Sequence, residues 1–308
     1  MKQLQIHFLN TIWSDAILLE KDHHFALIDT ASRFYYPDLC DLLKRKGCLH
    51  LDYIILTHYH SDHYGNLAQV LRDFGADKLY LKHYDAIDGA SSSGGKSDEE
   101  YWRDELTHYN EILDVAKDSS CELIFLDELD VDSTTIDFVG TTLELEGLIN
   151  NLRKLYNEGP YKGQKLFSEN FNSMAIFIYE KKHAVMLAGD VTTSTTDIEA
   201  LHGLGYIYVK RFYERHHLSK IDVYKSAHHG GSGTNPYEFL KLLNPDYLII
   251  TNTARWLDNY TTIPDMLKIN PACQILPTDY YQYTFRIGKE IKCYKRKKKS
   301  LFLKLKKN

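Results

Sequence analysis

Short apolar or alternating runs rich in strand formers open the chain at Leu4 to Leu9, Ala16 to Leu19 and Phe25 to Asp29, and this period-two pattern predicts three strands. A helix near Asp38 to Lys46 leads into YIIL, residues 53 to 56, which is almost wholly apolar, as a strand buried on both faces should be. Immediately after it comes THYHSDHYGN, residues 57 to 66, and then an amphipathic helical segment from Leu67 to Asp73. The histidines therefore fall on a loop at the carboxyl end of a strand, where open α/β sheets place their chemistry.

Residues 91 to 98, SSSGGKSD, form a flexible stretch inside an insertion, and the acidic, aromatic segment after it reads as helix as far as about Lys117. Strands near Glu122 to Leu126 and Thr142 to Glu146 precede a polar stretch that reaches Asn172. A second strand pair, Met174 to Tyr179 and Ala184 to Ala188, ends in Gly189-Asp190. A helix from Thr193, a strand at Ile221 to Lys225 running into SAHHGGSG, a helix opened by Pro236 in its first turn and a strand at Tyr247 to Thr251 complete the pattern. The order of strands, helix and ligand-bearing strand thus occurs twice. It predicts an α+β fold with two sheet-and-helix halves, a four-layer αββα sandwich.

With 308 residues, 44% of them apolar and 26% charged, the composition is that of a globular protein with a large core, and one elaborated domain is the expectation. Its 23 tyrosines mostly fill semi-buried positions, with an aromatic-lined pocket as the smaller alternative. No apolar run approaches the length of a membrane span, and the amino terminus lacks a secretory pattern. The five cysteines, Cys40, Cys48, Cys121, Cys273 and Cys293, lack paired spacing, which points to the reducing cytoplasm. The net charge of −5 conceals a basic stretch: residues 289 to 308 hold ten Lys or Arg against Glu290, +9 there against −14 elsewhere. This divides the chain into a domain over 1–288 and a basic tail over 289–308, either a solvated terminus or a contact for nucleic acid or an anionic membrane surface.

The chemistry concentrates in HYHSDH, residues 58 to 63, where three imidazoles and one carboxylate occupy six positions. All are preferred ligands of zinc and its first-row neighbours. A tight loop can turn His58 and His60 toward one ion and Asp62 and His63 toward a second. The sequence here resembles the metallo-β-lactamase superfamily, whose His-x-His-x-Asp-His motif is met in full by His58, His60, Asp62 and His63. The resemblance assigns Asp29, in ALIDTAS, to the support of the motif loop, and Asp190, in LAGD, to a bridge between two metals. It also matches SAHHGGSG to the last ligand in His-His-Gly form, as in the phosphorylcholine esterase and DNA-uptake channel branches, and makes His229 that ligand. His228 then either contacts the substrate, as a phosphate-binding group or general acid, or orients a ligand from behind. Many members of the superfamily carry a further ligand histidine before the bridging aspartate. Here ENFNSM stands in its place, Asn172 and Ser173 match those two branches, and His183 lies in a charged turn.

The resemblance implies two divalent ions, zinc by default with manganese or iron held by the same groups, and a water activated between them. Its first implication is a phosphodiesterase or phosphorylcholine-type esterase acting on a small phosphodiester, with Asp62 orienting the nucleophile. A nuclease aided by the basic tail is the alternative, and a metal-binding module without turnover is a third reading. Lys82, Tyr84 and Trp256 lie on segments placed to line the cleft.

Overall fold

The computed structural model describes residues 3–84, 98–149, 169–191, 204–231, 233–253 and 261–298. The described strands are β1 Leu4–Phe8, β2 Ile17–Lys21, β3 His24–Ile28, β4 Leu51–Ile55, β5 Ala76–Leu81, β6 Glu122–Phe125, β7 Ser133–Phe138, β8 Thr141–Glu146, β9 Ala175–Glu180, β10 His183–Leu187, β11 Val223–Lys225, β12 Tyr247–Ile250, β13 Gln274–Pro277, β14 Tyr281–Ile287 and β15 Ile291–Lys297. They form an eight-stranded sheet of order β15-β14-β1-β2-β3-β4-β5-β6 and a seven-stranded sheet of order β13-β12-β11-β10-β9-β8-β7. The helices are α1 Tyr36–Lys46, α2 Ser61–Tyr64, α3 Leu67–Asp73, α4 Asp98–Asp118, α5 Leu204–His216, α6 Tyr237–Leu243 and α7 Thr262–Ile269.

Three apolar layers hold the sandwich together. Because successive strand residues point to opposite faces, Ile54 and Leu79 face Leu39, Leu43, Val70 and Ile112 of the helices on the outside of the first sheet. Ile28 and Ile55 face inward, against Leu143, Leu145, Ile176, Val185 and Val223 of the second sheet. Phe177, Met186, Tyr224 and Leu248 then meet Val209, Phe212, Phe239 and Leu240 of the second helix layer. This is the αββα arrangement, and it explains why YIIL carries no polar position: both of its faces are covered.

Each sheet is antiparallel on one side and parallel on the other. β3, β4, β5 and β6 run parallel, as do β10, β11, β12 and β13. A parallel block sends every carboxyl end to the same margin, so the loops after β3, β4, β10, β11 and β12 converge.

Most element boundaries agree with the sequence pattern within a few residues, Leu67–Asp73 among them. Pro236 stands as the N-cap of α6 rather than within its first turn. β5, β7, β13 and β14 are not among the strands that the sequence pattern predicts; β5, ADKLYL, joins the parallel block between β4 and β6. The basic stretch departs further. Residues 291–297 form the edge strand β15, with Ile291 and Cys293 packed on the central core, so the fold continues past residue 288. His183 begins β10, with Nε2 3.2 Å from the Lys289 carbonyl oxygen, at the opposite end of that strand from Asp190. Residues 91–97 of the stretch predicted to be flexible, the predicted helix start at Thr193, and Trp256 lie outside the described residues.

Under α1, the outer face of β1 and β2 buries a polar pair. His7 Nε2 lies 3.0 Å from Glu20 Oε2, and Lys46 Nζ lies 3.1 Å from the same oxygen. Burial pushes the Glu20 carboxyl up, but the His7 hydrogen bond and the Lys46 charge outweigh it and bring the group down to about 2. A carboxylate whose folded value lies below its unfolded one stabilises the fold above the unfolded value, near 4.3, and loses that contribution as pH falls toward the folded one. Glu20→Gln should therefore cost about 1 kcal/mol at pH 7. In urea titrations at several pH values, the deficit should fade between about pH 4 and about pH 2.

Candidate metal centre

The motif loop is anchored before it presents any ligand. Thr57, two residues beyond β4, donates its N–H to Asp29 Oδ1 at 2.8 Å and its hydroxyl to Asp29 Oδ2 at 2.9 Å. The same Oδ2 lies 2.7 Å from Nδ1 of His63. Asp29 is 1% exposed and thus fixes both ends of the loop at once, turning Nε2 of His63 toward the cleft. His60 caps the short helix α2, and Gly65 closes it where a Cβ would stand 2.4 Å from the Ser61 carbonyl and 2.8 Å from the Arg33 amide. Tyr59 and Tyr64 stack at 4.1 Å beneath the loop, and both hydroxyls reach Glu105 of α4.

From the second sheet, the turn after β10 brings in Asp190, whose N–H donates to Ser173 Oγ at 2.9 Å. Gly189, with φ +51°, makes the turn, and its carbonyl accepts from the His228 amide at 3.1 Å and from Lys225 Nζ at 3.0 Å. After β11 both His228 and His229 adopt left-handed backbone, φ 48° and 54°. Asn235 holds this reversal by bonding both the N–H and the carbonyl of Ala227.

The two halves meet at Asp190. Its Oδ2 lies 3.8 Å from Nε2 of His58 and 3.8 Å from Nε2 of His228, and its Oδ1 lies 3.3 Å from Nε2 of His63 and 3.7 Å from Nε2 of His229. His58 Nε2 and His60 Nδ1 are 3.1 Å apart. Asp62 Oδ2 lies 3.0 Å from His229 Nε2 and 3.8 Å from His63 Nε2. The six residues singled out by the motifs, His58, His60, Asp62, His63, Asp190 and His229, are therefore gathered in one place, with His228 at its rim. His229 is 1% exposed and His228 39% in its side chain.

The electrostatics favour a cation. Burial opposes protonation of His63, but Asp190, Asp29 and Asp62 raise it well above the ordinary imidazole value; His229, likewise against burial, is raised to about 9 by Asp190, Asp15 and Asp62. Burial pushes Asp190 up, yet the imidazoles of His229, His63 and His228 hold it well below the usual carboxylate range. On the Oδ2 side, burial and the neighbouring His63 lower His58, and burial lowers His228. His63 Nε2 and Asp190 Oδ1 are buried and make no hydrogen bond. Such convergence of imidazole and carboxylate donors around unsatisfied atoms could hold a divalent ion in two groups, His58, His60 and Asp190 in one and Asp15, His63, Asp190 and His229 in the other.

Sequence reasoning missed four residues of this site. Asp15 and Thr251 stand at Nδ1 of His229, at 3.2 and 2.9 Å; Lys225 pairs with Asp15; and Thr57 bonds Asp29. Lys225 carried a legible signal, a lysine ending an apolar strand, which needs a buried acid. Of the supposed cleft residues, Lys82 donates to the Gly147 carbonyl at 2.5 Å and Tyr84 packs on Tyr59, and both are buried.

Residues 14–146 match the profile of the Metallo-beta-lactamase superfamily. No curated protein matches the chain by sequence. Among solved structures, the chain is similar to Tm1679, a metal-dependent hydrolase of the beta-lactamase superfamily, with TM-score 0.53 and 16% identity over 89% of this chain and 95% of that one. It is also similar to the metallo-beta-lactamase fold protein YhfI from Bacillus subtilis, with TM-score 0.50 and 12% identity over 96% of this chain and all of the other. A variant of CmlA beta-hydroxylase gives TM-score 0.52 and 11% identity over 93% of this chain but 54% of its own length. At such identities the likeness is one of fold.

The turn at Gly189 offers a direct check of how tightly Asp190 is held. A Cβ there would stand 2.6 Å from Ser173 Oγ and 3.1 Å from the Met174 carbonyl, on backbone that already disfavours side chains. Gly189→Ala should cost about 3 kcal/mol or more, whereas Gly140→Ala, also left-handed at φ +72° but open around its Cβ, should cost about 1 kcal/mol. Urea unfolding of the two variants measures the difference.

Proposed function

This chain has the metallo-β-lactamase fold, and from that premise we propose that it is a metal-dependent hydrolase of phosphodiesters, most closely of the phosphorylcholine-esterase type. The observation that carries the reading is the placement of Asp190, whose two oxygens face separate sets of imidazoles. His58, His60 and Asp190 would hold one ion, and Asp62, His63, Asp190 and His229 the other. Two such ions, zinc by default or manganese or iron, supply an acidified water and a clamp on the oxygens of an in-line displacement.

The chain's own residues divide the remaining work. Asp62, with its side chain 31% exposed, has one carboxylate oxygen near His229 and His63 and can orient the attacking water. His228 keeps its amide fixed to Gly189 and its ring partly open to solvent, which supports a contact with the phosphate or the leaving oxygen rather than a role behind the ligands. His229, buried and anchored at Nδ1, is suited to the ligand role. All five cysteines are unpaired, which supports a reducing compartment such as the cytoplasm, and no helix among the described residues is long and apolar enough to cross a membrane.

One observation favours a nucleic-acid substrate as the second reading. β15 pairs with β14 so that Lys297 stands opposite Tyr281, and β14 pairs with β1 so that Tyr283 stands opposite Phe8, where the chain turns into the loop bearing Asp15. The basic end of β15 therefore lies at the sheet margin that carries the site.

Elemental analysis paired with hydrolysis of bis-p-nitrophenyl phosphate and p-nitrophenyl phosphorylcholine tests the first reading. Wild type should hold about two metals and cleave at least one ester, and Asp190→Ala should lose metal and at least about 100-fold in rate. Two metals with no cleavage of either ester would move the assignment to nucleic acid. In that case nuclease activity should fall steeply with salt, and truncation after Lys298, which spares β15, should flatten the dependence.

A further inference from the structure

Two buried charges behind His229 have no part in the proposed reaction. Asp15, in the loop between β1 and β2, is 1% exposed; its Oδ1 lies 3.2 Å from Nδ1 of His229 and its Oδ2 pairs with Lys225 Nζ. Lys225, fully buried at the end of β11, also donates to the Gly189 carbonyl at 3.0 Å, one residue before Asp190. One pair thus joins a loop of the first sheet to both ligand-bearing turns of the second.

Nδ1 of His229 has another neighbour, Thr251 Oγ1 at 2.9 Å. A hydroxyl both donates and accepts, so by itself it leaves the tautomer of the ring open. An ionised carboxylate only accepts. With Asp15 held ionic by Lys225 beside it, a proton on Nδ1 is favoured, and Nε2 faces Asp62 at 3.0 Å and Asp190 at 3.7 Å. The four-membered cluster of Asp15, His63, Asp190 and His229 is close enough to suggest Asp15 as a fourth ligand. Its Oδ1 instead stands at Nδ1 and its Oδ2 at the lysine ammonium, whereas Nε2 is the ring nitrogen that faces Asp62.

We propose that Asp15 and Lys225 are positioning residues: they fix the tautomer and the angle at which His229 offers Nε2 to a metal, and they set the separation of the two halves of the site. This rests on the two-metal reading above. Carboxylates that orient a ligand histidine in this way typically contribute 10–100-fold in metal affinity.

The test is zinc titration of the full chain against a chromophoric chelator. The double variant Asp15→Leu/Lys225→Met removes both charges and leaves neither orphaned, a replacement that buried ion pairs often tolerate. It should fold, still bind two zinc ions, and bind one of them about 10–100-fold more weakly. Wild-type affinity at both steps would make the pair a structural tie only and overturn the proposal. The second measurement needs no metal. In metal-free wild type, labelled with nitrogen-15 at histidine, the Nδ1–H proton of His229 should resonate far downfield because its acceptor is charged, and should move upfield in Asp15→Asn. An unchanged resonance overturns the proposal even if the double variant fails to fold. Wild type that binds no zinc would sink the two-metal reading and leave the orientation of His229 to be decided by that proton.

Discussion

The carboxylate of Asp190, itself almost out of reach of solvent, turns Oδ2 toward His58 and His228 and Oδ1 toward His63 and His229, all within 3.8 Å. His58 and His63 come from the first sheet, His228 and His229 from the second. A single side chain can stand between them only if two separately folded margins are brought to a fixed separation. The sandwich does this through its central apolar layer, in which Ile28 and Ile55 pack against Val185, Leu187 and Val223 just below the loops. Parallel strands in each sheet then deliver the loops to that one margin.

Gathering so many ionisable groups in a buried place carries a cost that apolar packing does not offset. The structure meets it with neutral and charged partners just outside the cluster. Thr57 satisfies Asp29, Asp29 satisfies His63, Ser173 takes the Asp190 amide, and Thr251 and Asp15 take Nδ1 of His229. These contacts leave His63 Nε2 and Asp190 Oδ1 without a hydrogen bond, a condition that favours binding a cation in a set geometry. The left-handed backbone at Asp29, His228 and His229 is the local strain accepted for that placement.

Much of this was legible in the sequence because its local signals are strong. HYHSDH follows an apolar strand and can be read as a candidate metal loop without tertiary knowledge, and Gly-Asp and His-His-Gly each follow a strand in the second half. Where the signal depends on distant partners, reading failed. Asp15 looks like any polar residue ahead of a strand; it gains meaning only because Lys225, 210 positions later, lies beside it. β15 reads as a basic tail because its lysines and Arg296 mask the alternation of Ile291 and Cys293, which partly bury one face of an edge strand. β5, interrupted by Lys78, gives a weak pattern and is fixed by its neighbours β4 and β6 in the parallel block.

Anomalous diffraction at the zinc edge, from crystals of the full chain grown with zinc, tests the central claim most directly. Two peaks flanking the Asp190 carboxylate are predicted, one beside His58 and His60 and the other among Asp62, His63 and His229. A single peak, or peaks elsewhere with none at Asp190, would contradict the account.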